Sequence, residues 1–424
     1  MDMLPDRKIT EINLRFNKLG WDKEQREECC RARYGESHLT SLSNEELVDL
    51  LCLLNNSNQI LENKLDVVMK SPIQKILFGC PGTGKSYKIE HTIIPGLGIK
   101  NTSSNVIKTV FHPEYTYGDF MGKLVPITKD RRVEYNFHPG HFLRALVQAY
   151  KNLITAYDKQ KNEINNPQNV VLVIDEINRG NSSAIFGTVF QLLDREIKAE
   201  FKGWSSYSIS LTEIEFNQFS SMIGIKDYDN KNKYELNPLT DPVLLKTFEE
   251  KIKFLNIDIK TMKIKIPSNL SIVATMNTSD NSIYFMDNAF KRRWEWEYVD
   301  WDEDGFTIPK ANYGNPNGCL SWNVEWKRLV KNLNQFIKDN HNSIRGGRIE
   351  DMQIGYRFIN TDPEPVTESQ IQNKLMFFVW DSIFNRDKKP LRQLLKLNEQ
   401  QPLVTFGDFI RYHNQFVSNL LNYQ

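Results

Sequence analysis

Eight consecutive residues, Gly79-Cys80-Pro81-Gly82-Thr83-Gly84-Lys85-Ser86, set three glycines, a lysine and a hydroxyl in the spacing G-x-x-x-x-G-K-[ST]. That pattern suits the holding of phosphate. Glycines let the backbone wrap an anion closely, so that successive N–H groups and the N-terminus of the following helix point at its oxygens. Lys85 adds a point charge and Ser86 a Mg²⁺ ligand. All eight residues are therefore expected against a nucleoside triphosphate bound with Mg²⁺. The context is the required one, since the apolar run Ile76-Leu77-Phe78 precedes the glycines and a helix-compatible stretch follows them.

Carboxylates follow further along the chain. Val170-Val171-Leu172-Val173-Ile174 is a continuous aliphatic run ending in Asp175-Glu176, the composition of a strand buried on both faces of a parallel sheet. Ligands of open α/β sheets bind beyond the C-terminal ends of the strands. Asp175 is thus placed to hold Mg²⁺, and Glu176 to orient and polarise an attacking water. A third such run, Leu270-Ser271-Ile272-Val273-Ala274-Thr275-Met276, ends in Asn277-Thr278-Ser279-Asp280. The uncharged amide of Asn277 can hydrogen-bond the water and the terminal phosphate without adding negative charge to an anionic site. Its place at the end of a core strand argues against reading this tetrapeptide as a guanine-binding N-K-x-D. Downstream, the helix-compatible stretch from Phe285 to Trp294 carries Lys291-Arg292-Arg293 at its C-terminal end, where cations complement the helix dipole.

Positioning these groups takes parallel strands whose ends share one sheet edge, with helices on the flanks: an α/β fold. The segments Asp175-Glu176-Ile177-Asn178-Arg179-Gly180-Asn181, Ile185-Phe186-Gly187, Leu192-Leu193-Asp194 and Met276-Asn277-Thr278-Ser279-Asp280 occur in that order. Upstream stands Phe111-His112-Pro113-Glu114-Tyr115-Thr116-Tyr117-Gly118-Asp119-Phe120, and downstream Ile354-Gly355-Tyr356-Arg357-Phe358. Over roughly residues 70–395 the chain resembles the motor subunit of McrB-type, modification-dependent restriction systems, a branch of the AAA+ nucleotide hydrolases. The resemblance implies an AAA+ P-loop core with a C-terminal helical lid, and a role for Asn277 as the first sensor. It implies that Arg292 or Arg293 reaches a neighbouring subunit's nucleotide, and it carries Asn178 and Arg357 onto the nucleotide. A hexameric ring, GTP as preferred nucleotide with ATP as the alternative, DNA translocation and a separate McrC-like nuclease subunit are likewise implied. The chain departs from the family at Asn281, where M-N-T-A-D-R-S has arginine, and at Tyr356-Arg357, where the family has histidine and serine.

Composition fits a cytosolic motor. The chain has 424 residues, 25% of them charged and 40% hydrophobic, with a formal net charge of +1. Nucleic-acid binding must then come from local patches. No apolar run has the length of a membrane span, and the start Met1-Asp2-Met3-Leu4-Pro5-Asp6 is not that of a signal peptide, so a cytoplasmic location is expected. Cys29, Cys30, Cys52, Cys80 and Cys319 show no C-x-x-C pairing and are expected as reduced thiols.

Three blocks are expected: a small helical N-terminal module (1–70), the large α/β subdomain (71–305) and a helical lid (306–424). The first block holds ten Lys or Arg against thirteen Asp or Glu. It reads as a docking module, although Lys23, Arg26, Arg31 and Arg33 could form a basic helix face. Within the second block, Leu124 to Tyr135 reads as a hairpin with Lys129, Arg131 and Arg132 at its tip, either a solvated turn or a pore element following a phosphate backbone. The span from about Glu196 to Lys265 is too long for a bare connection and rich in aromatics, so it is expected to fold. Lys198, Phe201, Lys202 and Trp204 there suit single-stranded nucleic acid or a subunit contact.

Overall fold

The computed structural model describes residues 72–278, 284–301, 325–344, 349–360 and 365–423, except 102, 130, 162, 198–201, 229–232, 238 and 285. It also describes scattered positions between 8 and 51. The chain divides into two compact units, residues 1–70 with 96–98, and the remainder. In the first unit Ile12, Phe16, Leu42, Leu47 and Leu50 pack together. Ser43 and Glu46 cap a helix start reciprocally, Ser43 N–H donating to the Glu46 carboxylate (2.7 Å) and Glu46 N–H to Ser43 Oγ (3.3 Å). Lys23, Arg31, Arg33, Cys29, Cys30 and Cys52 lie outside the described residues, as do Cys319 and Ser279 to Asn281.

The second unit is built on a five-stranded parallel sheet. In chain order its strands are β1 (Gln74–Gly79), β2 (Val106–Val110), β5 (Val170–Asp175), β9 (Leu270–Asn277) and β10 (Glu295–Tyr298). Their order across the sheet is β10-β1-β9-β5-β2. The aliphatic runs of β5 and β9 occupy the middle and are buried on both faces, as their composition requires. Helix α1 starts at Lys85–Lys88 and continues through Ile89–Ile93 to Gly96. Helix α2 (His141–Ala156) lays Phe142, Leu146, Ala149, Tyr150 and Leu153 on the sheet. Each large apolar side chain so buried contributes about 1.5–3 kcal/mol.

Between β2 and α2 stands the hairpin β3 (Gly122–Lys129) and β4 (Arg132–Pro139), longer than the sequence suggests, with Lys129 opposite Arg132 and the left-handed Arg131 (φ 64°) in its turn. The span after β5 does fold. It forms α3 (Glu213–Ile223) and the antiparallel sheet of β6 (Ile225–Tyr228), β7 (Lys233–Leu236) and β8 (Thr240–Leu244). Its base is tied to the sheet by Arg195. Its half-buried guanidinium donates to Gln74 Oε1 (3.2 Å) and to the carbonyls of Gly203 (3.1 Å) and Leu270 (2.9 Å). Burial draws its pKa down to about 9, which leaves it charged at neutral pH.

One reading of the span needs correction. Trp204 is 8% exposed and packs edge-on against Tyr150 in the core, so it offers no surface to nucleic acid or a subunit. Lys198 and Phe201 lie outside the described residues.

The basic stretch also differs from expectation. Helix α4 is only Asn288–Lys291, capped by Asp287, and the chain then enters the sheet as β10. The alternation of Trp296 and Tyr298 with Glu295 and Glu297 is the strand signal that a helical reading of this region passes over. The C-terminal region is helical: α5 (Lys327–Asp339), α6 (368–383), α7 (Lys389–Leu394), α8 (Phe406–Arg411) and α9 (His413–Leu421) enclose a second core around Trp326, Leu333, Leu375, Phe384, Phe409 and Phe416.

Candidate active site

Strand register assembles the site. Gly79, the last residue of β1 and first of the glycine loop, lies directly opposite Asn277 at the end of β9. On the other side of β9, Ala274 is opposite Ile174, which brings Thr275 level with Asp175, and Ile177 N–H donates to Thr275 O (3.0 Å). The phosphate loop, both acids and the sensor amide thus share one sheet edge.

The loop turns through left-handed glycines at Gly82 (φ 82°) and Gly84 (φ 91°), the latter immediately before α1. Lys85 is 7% exposed, and its Nζ donates to Gly79 O (3.0 Å) and Cys80 O (2.9 Å), so the ammonium spans the loop. Thr83 Oγ1 also donates to Cys80 O (3.2 Å), and Cys80 itself is buried. Ser86 is exposed in the first turn of α1.

The C-terminal region closes over this loop through 355–358. Gly355 N–H donates to Pro81 O and Arg357 N–H to Gly82 O, both at 2.9 Å. A Cβ on Gly82 would stand 2.4 Å from Phe358 N, and one on Gly355 2.3 Å from Gly82 O, so each glycine is required by the other's approach. Arg357 accordingly lies beside Gly84, its guanidinium 3.7 Å over the ring of Tyr87, which in turn stacks on His91 at 4.0 Å.

One hydroxyl joins the acids. Thr275 Oγ1 donates to Asp175 Oδ1 (2.9 Å) and accepts from Glu176 N–H (3.2 Å). Glu176 sits at φ 54°, a conformation that costs a non-glycine residue energy and recurs where function fixes the backbone. Asn277 Nδ2 donates to Glu176 Oε1. The Asn277 amide and the Glu176 carboxylate are therefore already coupled. Thr275 escapes a reading of the sequence because a threonine in an aliphatic strand is ordinary. Only its register against Asp175 shows what its hydroxyl does.

Two expected residues have other work. Asn178 is 0% exposed, and its Nδ2 donates to Asn277 O (2.7 Å), so it braces the end of β9. Arg293 is held within its own chain: the side chain is 8% exposed, pairs with Asp194 (2.8 Å), donates to Ala289 O (2.7 Å) and lies 4.0 Å over Phe190. Its neighbour Arg292 is exposed. Of the two cations, Arg292 is the one placed to act outward.

The chain is 27% identical over 366 residues, 80% of its length and 87% of the relative's, to the type II restriction enzyme BsuMI component YdiS of Bacillus subtilis. It is 26% identical over 279 residues, 65% of its length, to the type IV methyl-directed restriction enzyme EcoKMcrB subunit of Escherichia coli, of which it spans 46%. A solved Cytophaga hutchinsonii protein with a provisional ATPase designation aligns over 86% of this chain and 89% of its own, at 11% identity and a TM-score of 0.25, too low to carry an argument. No protein-family model matches. With the parallel sheet order, the glycine loop and the acid pair at one edge, and two restriction-enzyme components among its relatives, the chain is a McrB-like AAA+ nucleoside triphosphatase.

Proposed function

We propose that this nucleoside triphosphatase is the ring motor of a restriction complex, acting on DNA together with a separate, McrC-like nuclease subunit. The coupling of Asp175, Thr275, Glu176 and Asn277 beside the glycine loop is the observation that carries the hydrolytic part. Similarity to two restriction-enzyme components supports the setting.

The substrate is GTP or ATP with Mg²⁺. Among the described residues no three His, Cys, Asp or Glu side chains are grouped to hold a metal, but Mg²⁺ needs only one or two carboxylates with substrate phosphates and water. The hydroxyl of Ser86 and the carboxylate of Asp175 are oxygen donors of that kind. The ion neutralises charge on the phosphates. Lys85 exchanges the carbonyls of Gly79 and Cys80 for phosphate oxygens, while Arg357 leaves Tyr87 for the same anion. Glu176 orients the attacking water, Asn277 fixes that carboxylate, and Arg292 enters the neighbouring subunit's site, where such a finger is worth about 10³–10⁵ in rate.

In this reading residues 1–70 form a docking module, 71–305 the motor and 306–424 the lid, and the ring is a hexamer. No helix among the described residues is long and apolar enough to cross a membrane, and the complex works in the cytoplasm. A second reading, a machine that remodels proteins, draws support from the hairpin: Leu124, Val133 and Tyr135 share one of its faces and are 48%, 59% and 67% exposed. Phosphate release from GTP and from ATP, with and without DNA and the nuclease subunit, separates the two. Stimulation by DNA is expected; stimulation by protein alone would transfer the function to the remodelling reading.

A further inference from the structure

Next to the glycine loop three flat groups stand in a column. Tyr87 and His91 are one turn apart on α1, so their rings meet on one face of the helix, with 4.0 Å between centroids. The Arg357 guanidinium lies over Tyr87, 3.7 Å from the ring centroid, and its stem runs past Gly84. Two groups at contact distance from one ring centroid cannot share a face of that ring, so Arg357 covers one face of Tyr87 and His91 the other. Tyr87 directly follows Ser86 and is 48% exposed, so core packing does not account for an aromatic residue at this place.

We propose that Tyr87 is the platform on which the base of the nucleotide stacks, in the place that Arg357 gives up, and that it favours purine over pyrimidine nucleoside triphosphates. This rests on the reading of the glycine loop as the nucleotide site and of Arg357 as a phosphate contact. In that reading Glu176 and Asn277 work at the terminal phosphate, and Asn277 stands opposite Gly79 at the start of the loop. The nucleoside end then leaves past Gly84 and Ser86, on the side where Arg357 and Tyr87 stand. A phosphate attracts a guanidinium far more strongly than a ring face does. Arg357 therefore turns to the anion and uncovers the face of Tyr87 that it held. A base is flat, as the guanidinium is, and enters the same gap, while His91 backs the ring from behind. Every base has a π-face, so the platform serves guanine and adenine alike, and the larger stacking area of a purine sets the preference. The choice between GTP and ATP does not come from Tyr87.

The test is isothermal titration calorimetry on the full chain with Mg²⁺, using the β,γ-imido analogues of GTP, ATP and UTP and inorganic tripolyphosphate, which has no base. The variants are Tyr87→Ala, Tyr87→Phe and Lys85→Ala. Tyr87→Ala is expected to lose about tenfold or more in affinity for the GTP and ATP analogues alike, and less for the UTP analogue. Its affinity for tripolyphosphate stays undiminished, which also shows that the loop is intact. Tyr87→Phe keeps the ring and stays near the wild type with every ligand. Purine affinity indifferent to Tyr87→Ala, an equal loss for tripolyphosphate, or a Tyr87→Phe variant as weak as Tyr87→Ala would overturn the platform, and a wild type that binds the UTP analogue as tightly as the other two would overturn the purine preference. Failure of the nucleotide reading looks different: the wild type then binds none of these ligands, or Lys85→Ala binds them as well as the wild type does, and the platform falls with it.

Discussion

Thr275 is the residue on which the acid pair depends, since its single hydroxyl serves both the Asp175 carboxylate and the Glu176 amide. Valine keeps its shape and removes both bonds. Thr275→Val is expected to cost about 1–2 kcal/mol of stability, two modest hydrogen bonds at a buried residue, and to lower turnover by about tenfold or more while nucleotide binding persists. Equal turnover in this variant, measured by phosphate release, would remove the hydroxyl from the mechanism. Arg292 and Arg293 should separate in the same manner. Arg293→Ala leaves Asp194 without its buried partner and should destabilise the chain by about 2–3 kcal/mol in denaturant unfolding. Arg292→Ala should stay within about 0.5 kcal/mol of wild type yet lose about 10³ in turnover, and should recover part of it when mixed with Lys85→Ala subunits. No recovery at any mixing ratio, with mixed rings verified by mass, would deny Arg292 a role across subunits. Sequence does not divide this pair, because adjacent arginines are chemically alike. Only the distant Asp194 and Phe190 mark which one is committed.

At the scale of elements, the strands that build the site are legible in the sequence and the contacts between remote segments are not. Continuous aliphatic runs ending in polar residues can hardly be anything but central parallel strands, so β5 and β9 follow from composition. Strand β10 is hidden because a basic cluster beside aromatics resembles a helix end. The position of Arg357 is hidden too, because the approach of Gly355 to Gly82 depends on packing across more than the local chain. Helix α9 carries a pH dependence of its own. His413, at its start, is 4% exposed, and its Nδ1 stands 3.4 Å from the Glu368 carboxylate. Burial lowers its pKa from 6.5, against the pull of Glu368. In the window below 6.5 the unfolded chain then binds more protons than the folded one, so stability is fully present above that value and falls as pH drops through it. His413→Gln should flatten the thermal-unfolding midpoint between about pH 7 and about pH 5 relative to the wild type. An unchanged slope would place the acid sensitivity elsewhere.

At the scale of the whole molecule the chain is nearly neutral, at +1, so any hold on DNA must be local. The hairpin tip, with Arg131 and Arg132 exposed and Lys129 opposite Arg132, is the candidate. Replacing all three by alanine should weaken DNA binding alike for every sequence and reduce the slope of log affinity against log salt by up to about three units, about one per phosphate contact. Hydrolysis without DNA should be untouched. An unaltered slope would return these residues to a solvated turn. Underneath every assembly and partner lies the claim that the glycine loop binds a nucleoside triphosphate and the acid pair hydrolyses it. The direct test is a paired measurement on Lys85→Ala and Glu176→Gln, with nucleotide affinity and phosphate release read from the same samples. Loss of affinity in Lys85→Ala, together with retained affinity and abolished release in Glu176→Gln, is the predicted result; equal loss of affinity in both, or release undiminished in Glu176→Gln, would contradict it.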